Sequence, residues 1–390
     1  MYYSRYVSSE LTKIAKGFPV ISVVGPRQSG KTTLLQHQFK EYRYFNLENP
    51  QMRELIASDP QQFLKQNPSR IIVDEVQRLP DLLSYIQVHV DKQQEMGSII
   101  LSGSQNLLVS EKVSQSLAGR AAYQTILPFS LSELKKHKLS LDNWQSQILK
   151  GFYPALYTRE ITPTLFYSQY ISTYVERDAR LIKNIQNLSQ FQKFIGLLAG
   201  RVGQIVNVSS LASDTGIAPN TAEDWISILE ASYLVYRLRP YYQNVGKRLI
   251  KSPKIFFYDT GLLCALLNIS SINELTHHFA VGSIFENFII SEVVKEINTA
   301  NKSATPYFYR DSHGNELDLV LDLGGKLIPV EIKSSTTYDS SFFKGFTYWR
   351  DVVDPDASGF LVYGGESSQP VMKDRLLSWN NLAELVKEKN

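Results

Sequence analysis

Gly25, Pro26, Arg27, Gln28, Ser29, Gly30, Lys31 and Thr32, followed by Thr33, have the types and spacing that hold phosphates. They fit G-x-x-x-x-G-K-[ST] at every fixed position. Glycines let the backbone curl so that N–H groups point at phosphate oxygens. Lys31 brings positive charge to the β- and γ-phosphates, and Thr32 supplies a hydroxyl to Mg²⁺. The segment also has the right neighbours. An apolar run at Val20–Val24 precedes it, and residues 31–39 read as a helix whose positive end faces the anion. About forty residues later, the apolar run 71–73 ends in Asp74 and Glu75. Alone, an apolar run ending in two acids mostly marks a strand end. At this distance from the phosphate loop, Asp74 is expected to hold the metal, mostly through water, and Glu75 to polarise the attacking water. A nucleoside triphosphate with Mg²⁺ is the expected ligand, and its hydrolysis the expected reaction.

Two further positions near this site each carry two readings. Ser104 and Gln105 follow the next apolar run. Either is suited to sensing the γ-phosphate, or the segment is a plain strand-to-loop turn. Arg120 is suited to act as an arginine finger across a subunit interface, or it is a solvated surface arginine.

A second set of residues lies near the C-terminus. Asp318 sits on one strand-like run, and Glu331, Ile332 and Lys333 on the next. Alternation places Glu331 and Lys333 on one face. Two carboxylates can bind Mg²⁺ while Lys333 orients a water, and Glu286 on the preceding helix is a candidate further ligand. Surface charges on an amphipathic strand are the competing explanation. Between the two sites lie Arg237, Arg239, Lys247, Arg248, Lys251 and Lys254, with Tyr241 and Tyr242 among them. They follow a helix–turn–helix pattern over residues 209–229 and are candidate DNA phosphate contacts. The helix expected to enter a groove carries Glu223 and Asp224, a poor surface for DNA. A packing module between domains is therefore the alternative.

Apolar runs at 20–24, 42–47, 71–73, 98–101 and 123–127 alternate with helical segments, which indicates a parallel α/β sheet. Helical periodicity then covers 129–134, 164–183, 190–198 and 221–229. Strand-like runs at 233–242 and 255–258 flank a basic loop. The last part opens with a long helix over 284–297. Strands follow at 307–310, 317–321, 327–332 and 359–363, then a terminal helix near 376–387.

The chain has 390 residues, too many for one ordinary domain. A net charge of +3 does not mark a nucleic-acid binder, so that case rests on local clustering. One cysteine, Cys264, excludes an internal disulfide and reads as a buried thiol. No run approaches the length of a membrane span and the N-terminus lacks a signal-peptide layout; with an intracellular nucleotide as ligand, the cytoplasm is the expected compartment.

Further motifs complete the pattern: residues 74–80, Leu101-Ser102-Gly103-Ser104, residues 116–120 and 127–130, Gly151-Phe152-Tyr153-Pro154, residues 174–178 (which include Arg177 and Asp178), residues 258–262, Glu316 with Asp318, and Glu331 with Lys333. Together with the phosphate loop, the set resembles the prokaryotic AAA+ proteins that carry a C-terminal domain of unknown function. The resemblance spans nearly the whole chain. One departure is Ser102, where threonine is expected. The resemblance implies an α/β protein with a P-loop NTPase core of the AAA+ type, a helical and winged-helix middle, and a C-terminal restriction-endonuclease-like α/β domain of the PD-(D/E)xK kind. The expected boundaries are 1–135, 136–190, 191–265 and 280–390. It also implies ATP as the nucleotide, and a homo-oligomer, as in AAA+ rings. Three functions are then open: ATP-driven DNA binding or remodelling, ATP-dependent DNA cleavage, and nucleotide-gated action on a protein partner.

Overall fold

The computed structural model describes residues 2–104, 117–175, 187–241, 252–300 and 303–386. It divides into two compact units. The first comprises residues 1–129 with 231–233, and the second residues 130–230 with 234–390.

In the first unit, β1 (Val20–Val24), β2 (Arg43–Asn46), β3 (Ile71–Asp74), β4 (Ile99–Gly103) and β5 (Ala121–Thr125) form one parallel sheet ordered β2-β3-β4-β1-β5. β1, β3 and β4 are buried throughout. This explains why they read as continuous apolar runs rather than alternating ones. The order matters for chemistry because β4 lies between β1 and β3. Val24 pairs with Gly103, and Asp74 with Ser102, so the C-terminal ends of three neighbouring strands stop at one level. That edge is where open parallel sheets bind ligands. The helix Val7–Gly17 packs Val7 and Leu11 against Ile21, Val23, Leu34, Ile72 and Ile100. The four-residue spacing of Val7 and Leu11 puts both on one face of the helix.

The second unit is built on a mixed sheet of eight strands. These are β6 (Val235–Pro240), β7 (Lys254–Phe257), β8 (Ala304–Arg310), β9 (Glu316–Leu323), β10 (Lys326–Lys333), β11 (Phe360–Tyr363), β12 (Gln369–Val371) and β13 (Asp374–Ser378), in the order β12-β13-β11-β10-β9-β8-β6-β7. The helix Val208–Thr215 ends at Gly216, whose φ of +81° suits glycine. The helix Pro219–Ala231 follows, then the antiparallel pair β6–β7. β6 also runs alongside β8 through Arg239–Tyr307 and Pro240–Phe308. The segments expected as separate middle and C-terminal domains therefore share one sheet. The terminal helix expected near 376–387 is corrected: Leu376, Leu377 and Ser378 belong to β13, paired with β11, and a short 3₁₀ segment, Trp379–Glu384, comes after. Pairing along a buried sheet overrides a local helical pattern.

Two interior polar clusters explain motifs left without a role. Asp259 is 1% exposed. Its carboxylate accepts from Leu262 N at 2.9 Å, capping the helix Thr260–Leu266, from Tyr167 Oη at 2.7 Å and from Phe152 N at 2.8 Å. A Cβ on Gly151 would stand 1.9 Å from Tyr167 Oη, and one on Gly261 2.4 Å from the same ring, so both glycines make room for this tyrosine. The second cluster pairs Lys295 with Glu292 at 2.6 Å, both 1% exposed. Glu292 also accepts from Leu131 N at 2.5 Å, and Lys295 Nζ lies 3.7 Å from the centre of the Phe152 ring. Cys264 is buried, as expected, and burial pushes its thiol pKa up. No helix among the described residues is long and apolar enough to cross a membrane.

Candidate functional site

The phosphate loop leaves β1 through Gly25, with φ of +146°. A Cβ there would lie 2.2 Å from Ile126 O, so only glycine passes. Gly30, at φ +91°, turns the chain into the helix Lys31–Gln38. Gln28 also has positive φ, +60°, without being glycine, and such strain gathers at functional loops. The buried ammonium of Lys31 donates to Gly25 O at 2.9 Å and Pro26 O at 2.8 Å. Among the described residues, the buried Ser29 hydroxyl has no hydrogen-bond partner. Strained glycines, a lysine inside the loop and an unmatched hydroxyl fit a phosphate-bearing ligand.

The acids stand where the strand order puts them. Thr32 Oγ1 donates to Asp74 Oδ2 at 2.8 Å. Tyr44 Oη donates to the same oxygen at 2.6 Å, and Glu75 N to Asp74 Oδ1 at 3.0 Å. Burial and the adjacent Asp74 carboxylate raise the Tyr44 pKa, so its proton stays in place. Glu75 has φ of +56°. Its Oε2 accepts from Gln77 Nε2 at 2.5 Å and Ser104 Oγ at 3.3 Å, and Gln77 also reaches Ser104 at 3.2 Å. Burial raises the Glu75 pKa above the ordinary value, while Arg27 and Lys31 oppose the rise.

Three contributors were not singled out from the sequence. Tyr44 and Gln77 are ordinary residues of a strand and a turn until the sheet brings them to the acids. Arg5 is 7% exposed and donates to Ser29 O at 3.1 Å, Leu127 O at 2.7 Å and Pro128 O at 3.2 Å. It ties the phosphate loop to the segment after β5, and no motif flags it. Arg120 is engaged within its own chain, since its guanidinium meets both Asp91 oxygens at 2.5 and 2.8 Å. Gln105, Arg177 and Asp178 lie outside the described residues.

In the second unit, the β9–β10 hairpin does bring Asp318, Glu331 and Lys333 together. Lys333 Nζ lies 3.0 Å from Glu331 Oε2 and 3.5 Å from Asp318 Oδ2, which also accepts from Ile332 N at 2.8 Å. Burial, then the Asp318 charge, pushes the Glu331 pKa well above the carboxylate range. A cavity of about 290 Å³ opens here, lined by Glu316, Glu331, Lys333, Lys344 and Tyr348 among others. Gly345 keeps it open to Glu331, because a Cβ there would lie 2.1 Å from Glu331 Oε1.

Glu286 does not join Asp318 and Glu331 as a ligand. Its carboxylate is held by Lys254 at 3.0 Å, and Lys254 also pairs with Glu316 at 2.6 Å. No group of three or more His, Cys, Asp or Glu side chains among the described residues is arranged to hold a metal ion. Two of the expected DNA contacts are corrected as well. Lys254 is 2% exposed and neutralised inside the protein, not at its surface. Arg237 is committed to Glu223 at 2.7 Å and Glu230 at 3.2 Å. Arg239 is exposed, while Lys247, Arg248 and Lys251 lie outside the described residues.

This loop, sheet order and pair of acids define a P-loop ATPase, and residues 17–135 match the family model described as an AAA domain. The protein binds nucleotide and is an ATPase. Residues 141–273 and 281–382 match two models described only as domains of unknown function, DUF8612 and DUF4143. The uncharacterized proteins Rv2008c of Mycobacterium tuberculosis and Mb2031c of Mycobacterium bovis are each 30% identical over 98% of this chain and 86% of theirs. The chain belongs to their family. The uncharacterized protein MJ1544 of Methanocaldococcus jannaschii is 21% identical over 77% of this chain and 71% of its own. Among solved structures, a Walker-type ATPase of Pyrococcus abyssi aligns over 68% of this chain and 96% of its own, at 15% identity and a TM-score of 0.45.

Proposed function

We propose that the chain hydrolyses Mg²⁺-ATP and uses the cycle to bind or remodel DNA through its second unit, working as a homo-oligomer. The observation that carries the nucleotide part is the convergence of Thr32, Asp74, Glu75 and Ser104 at the ends of β1, β3 and β4. Glycine N–H groups and Lys31 hold the phosphates, with the Lys31 ammonium leaving Gly25 O and Pro26 O to do so. Thr32 and Asp74 would hold Mg²⁺, which supplies charge neutralisation at the phosphates. Glu75 accepts the proton of the attacking water, and Ser104 with Gln77 fixes the direction of its carboxylate.

The DNA part rests on the helix–turn–helix followed by β6–β7, with Arg239 exposed and the sheet continuing to the Asp318 site. ATP turnover should rise when DNA is added, and DNA affinity should fall steeply with salt. Turnover indifferent to single-stranded, duplex and branched DNA sinks this reading and leaves a protein partner.

Convergence of Asp318, Glu331 and Lys333 favours a second reading, metal-dependent DNA cleavage by the same unit. Wild type incubated with DNA and Mg²⁺ or Mn²⁺ is then expected to cut, and Asp318→Ala to lose about 100-fold or more. Metal binding needs the ionised carboxylate, so cleavage should climb as pH rises through the elevated Glu331 pKa. Equal cleavage by both proteins removes the site from contention.

A further inference from the structure

We infer that Tyr44 is a positioning residue for the metal-binding carboxylate of the ATPase, an inference that rests on the reading of Thr32 and Asp74 as the Mg²⁺-holding pair. Tyr44 lies on β2, the edge strand beside β3, where it pairs with Ile72. From there its hydroxyl crosses to Asp74 Oδ2 at 2.6 Å.

A carboxylate offers about four acceptor sites. Three are in use on Asp74 among the described residues: Glu75 N takes one on Oδ1, while Thr32 Oγ1 and Tyr44 Oη take two on Oδ2. Thr32 keeps its lone pairs for a cation while its hydrogen stays on Asp74. One site on Oδ1 remains, enough for a hydrogen of a single water. Tyr44 thus holds Asp74 Oδ2 beside Thr32 Oγ1, where the two residues would hold the cation together. It adds a second donor on Oδ2 to the bonds from Thr32 Oγ1 and Glu75 N, which further restricts the carboxylate rotamer. Outer-shell partners of this kind typically set metal affinity by about 10- to 100-fold.

Tyr44→Phe tests this cleanly, because the ring packs at the edge of the apolar core and only the hydroxyl is removed. Binding of a fluorescent ATP analogue is titrated with Mg²⁺ for wild type, Tyr44→Phe and Asp74→Ala, and again in EDTA. Mn²⁺ with the same nucleotide gives an independent electron paramagnetic resonance signal of metal held at the site. The expected result is a half-saturating Mg²⁺ about 10-fold higher for Tyr44→Phe, with nucleotide affinity in EDTA unchanged. A Mg²⁺ midpoint within twofold of wild type, while Asp74→Ala moves it, overturns the inference alone. Loss of nucleotide affinity in EDTA of the same size as the Mg²⁺ shift reduces Tyr44 to a structural residue and also overturns it. If Asp74→Ala leaves the midpoint in place, the Mg²⁺ reading fails and the inference falls with it.

Discussion

Glu75→Gln is expected to lower ATP turnover by about 10²- to 10⁴-fold while nucleotide affinity stays within a few-fold of wild type. The amide keeps the size of the side chain and its contacts to Gln77 and Ser104, but it cannot take a proton from water. Lys31, Thr32 and the glycines of the loop are untouched, so binding should survive. The pH profile supplies a second readout. Burial raises the Glu75 pKa, with Arg27 and Lys31 offsetting part of the rise. The active form is the ionised one, so turnover should fall as pH drops through a Glu75 pKa raised above its ordinary value. That limb should vanish from the residual rate of Glu75→Gln. Turnover measured by phosphate release, alongside binding of a fluorescent nucleotide, decides the matter. If Glu75→Gln keeps more than about a tenth of the wild-type rate, Glu75 is not the base.

Asp259→Ala is expected to cost about 4 kcal/mol or more, a loss confined to a short list of mechanisms. Three donors, Phe152 N, Leu262 N and Tyr167 Oη, would be left without their acceptor in the interior, at about 1–3 kcal/mol each. The cap of the helix Thr260–Leu266 would go with them. The effect belongs to the second unit, so a chain of two units should show it as an early transition in urea rather than as one shifted midpoint. ATP turnover assayed below that transition should be near wild type if the first unit folds without it. A change under about 1 kcal/mol would mean that Asp259 is not the interior fastener its contacts imply. The Gly151 and Asp259 motifs would then need a functional explanation.

These experiments separate two kinds of motif-like pattern that are hard to tell apart in a linear sequence. Gly25 to Thr32 and Asp74-Glu75 combine glycine, charge and hydroxyl in a form that packing alone does not require. The Gly151 and Asp259 motifs look equally pointed, yet they fold inward, where the glycines clear space for Tyr167 and the acid satisfies backbone N–H groups. Nothing in the linear order separates the two cases, because an interior acid and a surface acid have the same letter. The difference is solvent exposure, which depends on residues more than 90 positions apart in the case of Tyr167 and Asp259.

The same limit applies to the charged residues. Lys254 belongs to a basic run and reads as a phosphate contact, but the fold places it between Glu286 and Glu316. Desolvation makes an unpaired buried cation costly, so the fold supplies two carboxylates to it. Glu286 is thereby withdrawn from the expected metal set. The hairpin pairing of Asp318, Glu331 and Lys333 was readable because alternation along strands and a glycine turn are local properties.

The amino-acid sequence by itself determined the phosphate loop, the two acids at the end of β3, the parallel α/β character of the first part and the hairpin carrying Asp318, Glu331 and Lys333. Each follows from short-range rules: backbone freedom at glycine, side-chain period, and the chemistry of neighbouring residues. Only the tertiary structure decided that β4 separates β1 from β3, that Tyr44, Gln77 and Arg5 serve the site, and that β6 and β7 join the C-terminal sheet. Strand order and hydrogen bonds between distant segments are set by how buried surfaces fit together across the whole chain, and no local stretch encodes that fit.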